Sequence, residues 1–543
     1  MSTALPTGPK NARIAIVGMG PARDEIASGH YFSGPSGQIL DRALNANGLT
    51  RKDVYVTNVH DGFLAPGTSL FSLPSNVLHN SISRLRRELQ AVRPNVVMPL
   101  GDEPLQVICG LSGITKWRGS ILEAKSDFIP GLKCVPSIHT AWILRGMWKW
   151  FGVFAHIDLP RVIEESKTRE IKLPIRNAVT GPGKSTTLDY LADCEKSETI
   201  AFDIEGTGEI TCCGFAYSPN HAICIPFTHQ DLSPYWSLPD EAIIWRAVAR
   251  VLQSNVKKIG HRIEYDWLHF WKHKVYPANM YIDLHKLHHT LYPDFGESED
   301  IYGRRKPKWD EPGHSLALIT SQYTRTPYYK DDGRKWSPKL GEHQFWRYNT
   351  FDCMIPMEAG PKMAEEAREA NLWDIYINYK QRQFPHMLRM EWFGVSIDLD
   401  MRAQASVELA AQAAETQNNI NKKLGYNLNV NSPKQVMDLL YNRMKLKPKI
   451  NKQTGKKTAD KYALMDFADQ TQDEVLLWIR ELRSTLDLKG DIVDQQLGPE
   501  NHMHTHYGYT DTHRWTSSAS ILGSGTNLQN IPVRGIARKL FIP

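Results

Sequence analysis

The sequence predicts an α/β chain of several domains, and three observations carry that expectation. A single hydrophobic core stops growing at about 250–300 residues, so 543 residues call for roughly three domains. Through the first two thirds, short apolar runs bounded by Gly, Pro or Asn alternate with amphipathic stretches, the pattern of layered sheets and helices. The last third is mainly helical in pattern, as in the Ala-, Gln- and Glu-rich run from Met401 to Leu424. Hydrophobic residues make up 41% and charged residues 23%, a globular composition. No apolar run approaches membrane-spanning length, so no membrane partner is expected. Met1 to Pro6 lacks the basic and apolar blocks of a signal peptide. Seven scattered cysteines without a Cys-x-x-Cys fit neither a zinc site nor a disulfide framework, and a reducing cytoplasm is the expected home. The net charge of +6 permits nucleic-acid binding without arguing for it.

The first domain is expected over residues 1–165. Arg13 to Val17 is an apolar strand entering the turn Gly18-Met19-Gly20-Pro21. A dinucleotide fingerprint would need a third glycine where Arg23 stands, so that reading fails. Val54 to Asn58 and Asn95 to Gly101 are further strands, with a helix over Ser81 to Val92 between them. Residues 166–186 read as a linker because Pro174, Gly181, Pro182 and Gly183 crowd together. Gly181 to Thr186 looks like half of a phosphate loop, but Ala178 occupies its first glycine position. Ser185 or Thr187 is expected to cap the helix that follows.

The next domain is expected over residues 187–371, and its acids are its most informative feature. Ile200 to Thr207 reads as a buried strand that places Asp203 and Glu205, one residue apart, on one face. Asp266 follows Ile259-Gly260 at the start of an apolar helical run. Tyr348 and Asp352 lie one helical turn apart. Four acids and a tyrosine can build a site for two divalent cations about 4 Å apart, which clamps both oxygens of a phosphodiester displacement. Magnesium prefers carboxylate oxygens and keeps several waters, so three or four acids suffice. Gly208 to Phe227 reads as two more strands and Glu241 to Leu252 as an amphipathic helix. Gly303 to Trp309 and Tyr323 to Trp336 mix bases with aromatic rings, a composition that suits single-stranded DNA and equally a solvated loop.

In this order, the acid pair, the Tyr-Asp before a helix and the Tyr-x-x-x-Asp resemble the DEDD superfamily of 3′–5′ exonucleases, tyrosine subclass, over about Thr187 to Met363. The resemblance implies a ribonuclease H-like domain with a mixed sheet. It implies that Asp203, Glu205 and Asp352 hold one divalent cation, and that Asp203 reaches a second with Asp266 as outer partner. Tyr348 would orient the attacking water. Both cations would be magnesium, with manganese as a substitute.

The first domain resembles the uracil-DNA glycosylase superfamily over about residues 11–160. Gly18 to Ala22, Gly34 to Leu40, Asp53 to Val59, Trp117-Arg118-Gly119 and Pro136 to Ala141 carry the match. The resemblance implies a pocket of Gly18, Pro21, Asn58 and His139, with Asn58 reading uracil and His139 stabilising the departing base. Met19 and Gly20 stand where the water-activating residue belongs, and the cysteines of an iron–sulfur cluster are missing. The domain is therefore expected to bind DNA, to excise uracil poorly or not at all, and to carry no iron–sulfur cluster. Asp24 and Asp61 are the nearest candidate substitutes.

Residues 372–543 resemble family A DNA polymerases. Leu428 to Val436 and Thr454 to Asp460 match a helical thumb, and Thr510 to Ser518 with Asn527 to Pro532 match the entrance to the palm. The resemblance implies that Thr512, Arg514, Asn527 and Gln529 touch the primer–template duplex. His513 replaces the usual glycine. His502, His504 and His506 alternate like one strand face. In that family the palm carboxylates come later than Pro543. The expectation is thus the front portion of a replicative polymerase of bacteriophage type with 3′–5′ proofreading, acting in the cytoplasm of a bacterial host. Its partners would be a primer 3′ end, single strands and primer–template duplex, with dNTP bound only by the full-length nucleotidyltransferase. Two alternatives remain at this stage: a free-standing exonuclease fused to a repair glycosylase, and a non-catalytic DNA-binding tether.

Overall fold

A computed structural model describes residues 4–65, 67–206, 208–295, 313–334, 341–451 and 456–542. The basic stretch Gly303 to Trp309, Lys335 and the pair Thr454-Gly455 lie outside the described residues. The described residues up to Arg382 form one compact unit and those from Gln383 onward form another.

Two sheets organise the first unit. β1 (Ile14–Gly18), β2 (Val54–Asn58), β3 (Val96–Pro99), β4 (Leu122–Glu123) and β5 (Lys133–Cys134) lie in the order β2-β1-β3-β5-β4. All pairings are parallel except β4 with β5. Alternation along the strands sorts side chains to two cores. Ile14, Ile16, Val54, Val56, Val96 and Met98 pack with Leu40 and Leu44, whereas Ala15, Val17, Tyr55 and Val97 pack with Leu85, Leu89 and Ile108. Parallel strands buried on both faces read as continuous apolar runs, as these do.

The second sheet has the order β11-β10-β7-β8-β9-β6. Its strands are β6 (Asn177–Thr180), β7 (Thr199–Glu205), β8 (Cys212–Ser218), β9 (His221–Pro226), β10 (Lys257–Gly260) and β11 (Met280–Asp283). β7, β8 and β9 form an antiparallel meander, β10 and β11 extend it in parallel with β7, and β6 runs parallel to β9. The alternation of sheets with helices is the mixed α/β architecture the sequence predicts.

The expected linker needs correcting, because residues 166–186 contain β6, an edge strand of this sheet. The capping expectation fails as well. Gly183 is the N-cap of helix Lys184–Lys196 and has no side-chain cap bond, while the Thr187 hydroxyl donates back to the Gly183 carbonyl at 3.0 Å.

Helix Glu342–Glu369 crosses one face of the second sheet, burying Cys353 and Met354 against Ala201, Ala216 and Ala222. Gly214 permits the close approach. A Cβ there would stand 2.5 Å from Asn349 Oδ1 and 2.7 Å from Cys353 Sγ.

The second unit is mainly helical. Helix Leu399–Leu424 lies beside Glu474–Leu488, and Ala413, Ile420, Leu464, Phe467, Leu476 and Ile479 fill a core between the elements. Two small antiparallel pairs complete it: Val395–Ser396 with His502–Met503, and His506–Tyr509 with Trp515–Ser518.

Candidate active site

β7 ends as an alternating strand. Ile204 is buried, while Asp203 and Glu205 are half-buried on the opposite face. Asp352 projects from the crossing helix. Ligand oxygens of Asp203, Glu205 and Asp352 all lie within 4.8 Å of one another. The Asn349 amide, a turn before Asp352, donates to Asp203 Oδ2 at 2.9 Å and so fixes the helix to the strand's carboxylate. Asp266 stands outside this trio. It is buried, and its Oδ1 accepts from the Ile204 backbone N–H at 2.8 Å, between the two strand acids.

A buried aspartate sets the position of Asp266. Asp283 accepts from the backbone N–H groups of Arg262 and Ile263 at 3.3 and 3.2 Å, and from His285 at 2.8 Å. Arg262 has a φ of 56°, in the left-handed region, so this turn needs outside support. Asp283 supplies it, immediately before helix Glu264–Lys272 carries Asp266 inward.

Like charges at short range make ionisation costly. Burial first and Asp352 next push Glu205 up to about 8. Burial raises Asp203, reinforced by Asp266 and Asp352, and burial pushes Asp266 up to about 8 against two backbone hydrogen bonds. Burial and Asp352 likewise raise the Tyr348 phenol. Such a cluster favours a bound cation.

Sequence reasoning missed two residues here. Tyr329 donates its hydroxyl to Asp352 Oδ1 at 2.6 Å. Lys330 Nζ donates to Asp352 Oδ2 at 2.5 Å and to the Tyr348 hydroxyl oxygen at 2.6 Å. Both belong to the basic, aromatic stretch that suits single-stranded DNA or a solvated loop, and here both are engaged with Asp352. No local periodicity marks them, since their contacts come from a helix further along the chain.

In the first domain Asn58 is 1% exposed, and neither its Oδ1 nor its Nδ2 has a hydrogen-bond partner. An unpaired buried amide costs about 1–3 kcal/mol, which a ligand would recover. Phe32 stacks on His139 with ring centroids 5.6 Å apart and 27° between planes. Gly18 makes room for both neighbours, because a Cβ there would come within 2.3 Å of Asn58 Oδ1 and 2.7 Å of the Phe32 ring. His139 Nδ1 accepts from the Ala141 N–H at 3.1 Å, leaving its Nε2 as the donor, and burial holds the ring down at about 4. Pro21 is buried beside this turn. Of the two substitute acids, Asp61 faces His60 and Arg84 at 3.8 and 3.9 Å, and Asp24 is exposed near Gly34.

In the second unit Thr512 and Arg514 are exposed in the turn that joins His506–Tyr509 to Trp515–Ser518. His513 has a φ of 60°, so it adopts the conformation glycine would take there. Asn527 Oδ1 accepts from Gln529 N at 2.9 Å, and Gln529 Nε2 donates to the Trp515 carbonyl at 2.9 Å. The three alternating histidines do not share a site. His502 bonds the Phe393 carbonyl, His504 the Glu391 carbonyl, and His506 stands 3.0 Å from the Glu391 carboxylate.

An acidic cluster thus sits on the mixed sheet, and the first domain holds a buried amide without a partner close to a stacked ring pair. Residues 5–154 match the uracil DNA glycosylase superfamily, and residues 399–543 match DNA polymerase family A. The chain thus resembles uracil-DNA glycosylases at its N-terminus and family A DNA polymerases over its last third. It is 30% identical over 386 residues to DNA polymerase I of Rhizobium leguminosarum, a match covering 64% of this chain and 36% of that protein. It is 35% identical over 123 residues to the type-4 uracil-DNA glycosylase of Archaeoglobus fulgidus, covering 22% of this chain and 60% of the relative. It is also a homologue of the DNA polymerase of Bacillus phage SP01, at 21% identity over 93% of this chain and 61% of that one. The chain spans less than two thirds of the length of each of these three relatives. Among the described residues no helix is long and apolar enough to cross a membrane.

Proposed function

We propose that this chain works within a family A DNA polymerase and that its middle domain is a metal-dependent 3′–5′ proofreading exonuclease. One observation carries the reading: Asp203 and Glu205 from β7 and Asp352 from the crossing helix converge within 4.8 Å, with Tyr348 one turn from Asp352. The antiparallel β7–β8–β9 meander extended by parallel β10 and β11 supports a ribonuclease H-like domain. The donor set fits a hard divalent cation, being all carboxylate, with Asp203 and Glu205 raised by burial and then by neighbouring acids. Asp203, Glu205 and Asp352 would hold magnesium or manganese, with Asp266 behind them. Bound there, the cation supplies charge neutralisation and a more acidic water.

The chain's own residues do the rest. Asn349 orients Asp203, and Ile204 N–H orients Asp266. Tyr348 receives a hydrogen bond from Lys330 and stands beside Asp352, from where its hydroxyl would orient the attacking water. Water oxygen bonds to phosphorus, the bond from phosphorus to the 3′-oxygen of the preceding nucleotide breaks, and that oxygen leaves with a proton. The substrates are a primer 3′ end and single-stranded DNA, and the polymerase domain would take primer–template duplex and dNTP. There Thr512, Arg514, Asn527 and Gln529 would face the duplex, Arg514 through phosphate or minor-groove contact.

For the first domain, the unpaired Asn58 amide beside Phe32 and His139 supports retained recognition of a flipped base. The absent acid at Met19-Gly20 supports weak or no excision. A free-standing exonuclease fused to a glycosylase is the weaker reading, given the polymerase match over residues 399–543. The test is digestion of 5′-labelled single-stranded DNA with magnesium. Asp203→Ala with Glu205→Ala should abolish shortening from the 3′ end, and undiminished digestion by the folded double variant sinks the assignment.

A further inference from the structure

We infer that the glycosylase-like domain is a structural part of the exonuclease site: its Lys116–Ser120 loop holds the strap Tyr328–Asp331 and thereby positions Lys330 on Tyr348 and Asp352. The inference rests on the exonuclease reading above and adds a task for the first domain that needs no base excision.

The strap has two sides. On its outer side the Tyr328 backbone N–H donates to Ser120 Oγ at 3.1 Å. The Tyr328 ring meets the Trp117 ring edge-on, with centroids 5.3 Å apart and 66° between planes. Lys116 Nζ pairs with Asp331 at 3.1 Å. On its inner side, the next residues Tyr329 and Lys330 take both oxygens of Asp352, and Lys330 also takes the Tyr348 hydroxyl. Anchor and site contacts are thus one or two residues apart, and consecutive Cα atoms stand about 3.8 Å apart. A shift of Tyr328 must reach Tyr329 and Lys330 almost undiminished.

The strap cannot hold itself. Residues 324–329 have no regular secondary structure, so no ladder of their own fixes them. The same domain also grips the entry to the strap. Arg161 donates to the carbonyls of Thr324 and Gln322 at 2.6 and 3.3 Å, and Arg118 donates to Ser321 Oγ at 2.9 Å. Arg118 is in turn fixed by Asp158, with both partners buried. The Trp117-Arg118-Gly119 segment therefore faces the exonuclease side through both its tryptophan and its arginine.

Lys330 has two consequences where it sits. Its hydrogen bond to the Tyr348 oxygen holds the phenol in place beside Asp352. Its charge on Asp352 opposes a second cation at that carboxylate. Lys330, Trp117 and Ser120 are positioning residues in this account, acting through Tyr348 and Asp352.

The test is manganese binding to the full chain without DNA, read by electron paramagnetic resonance or calorimetry, with single-turnover digestion of a single strand as a second readout. Lys330→Met should tighten manganese binding roughly tenfold by removing a like charge, and should lower the digestion rate at saturating DNA more than it changes DNA affinity. Lys330→Arg should restore part of the rate. Trp117→Ala should move both readouts in the same direction by less, and should add nothing in the Lys330→Met background. Should Trp117→Ala fail to fold, Lys116→Glu at the exposed rim replaces it, setting like charges on Lys116's position and Asp331. Unchanged manganese affinity in the folded loop variants, or additive effects with Lys330→Met, overturns the inference. Manganese binding that survives Asp203→Asn with Glu205→Gln overturns the exonuclease reading instead.

Discussion

Asp158→Asn tests how the glycosylase-like domain holds its own interior. Arg118 Nε lies 2.9 Å from both Asp158 oxygens, its terminal nitrogen makes a further short contact, and Ser137 Oγ donates to Asp158 Oδ2 at 2.5 Å. Asp158 is 0% and Arg118 2% exposed. Arg161, lowered to about 10 chiefly by burial and then by Arg118, relies on the same carboxylate for compensation. The asparagine keeps the shape and removes the charge, so a buried guanidinium is left uncompensated at a cost of about 3–5 kcal/mol. At roughly 2–4 °C per kcal/mol for a unit of this size, the calorimetric transition should fall by roughly 6–20 °C. Asp158→Leu with Arg118→Met removes both charges and should cost far less than the single change. A loss under about 1 kcal/mol in Asp158→Asn, or a double variant no better than the single one, would refute the reasoning.

Other outcomes follow from the same structure. The carboxyls of Glu205 and Asp266 are raised to about 8 in the fold, so ionisation weakens the native state as pH climbs from the ordinary carboxyl range to about 8. The metal-free protein should therefore melt lower at about pH 8.5 than at about pH 6, and magnesium should recover more at the higher pH. A pH-independent melting point in EDTA would contradict this. Lys380 is buried, its Nζ lies 2.7 Å from His289 Nδ1, and burial lowers it to about 7. Its burial penalty is full below that value and fades as pH rises toward the unfolded lysine range, so Lys380→Met should stabilise at neutral pH and lose its advantage above about pH 10; a destabilised variant at pH 7 would contradict it. The first domain should bind single-stranded DNA yet leave few alkali-sensitive breaks at uracil. Efficient breakage that disappears in both Asn58→Ala and His139→Ala would show an active glycosylase.

The sequence made the acids legible because strand parity and helical spacing are local. Asp203 and Glu205 share a face by the two-residue repeat, and Tyr348 and Asp352 share one by the helical turn. The backbone at His513 was not legible, and its positive φ shows why glycine suits that position. The strand Asn177–Thr180 was hidden for a physical reason. Its residues are half-exposed or exposed and flanked by turn formers, and its pairing with β9 is a backbone interaction across sequence. Tyr329 and Lys330 were hidden for a similar reason, since tertiary packing turns an apparently solvated basic stretch toward Asp352. The three histidines do not share one strand face because the strand breaks between Met503 and His506.

The most direct measurement is the single-turnover rate of 3′ nucleotide release from single-stranded DNA in magnesium, comparing the parent chain with Asp352→Asn and Tyr348→Phe. Asp352→Asn removes a carboxylate from the trio, whereas Tyr348→Phe removes one hydrogen bond to water. Release should depend on metal, fall by about 10³ or more in Asp352→Asn, and fall by less, about 10–10², in Tyr348→Phe. Release that persists in EDTA, or that Asp352→Asn leaves within about twofold of the parent rate, would contradict a carboxylate-held metal site.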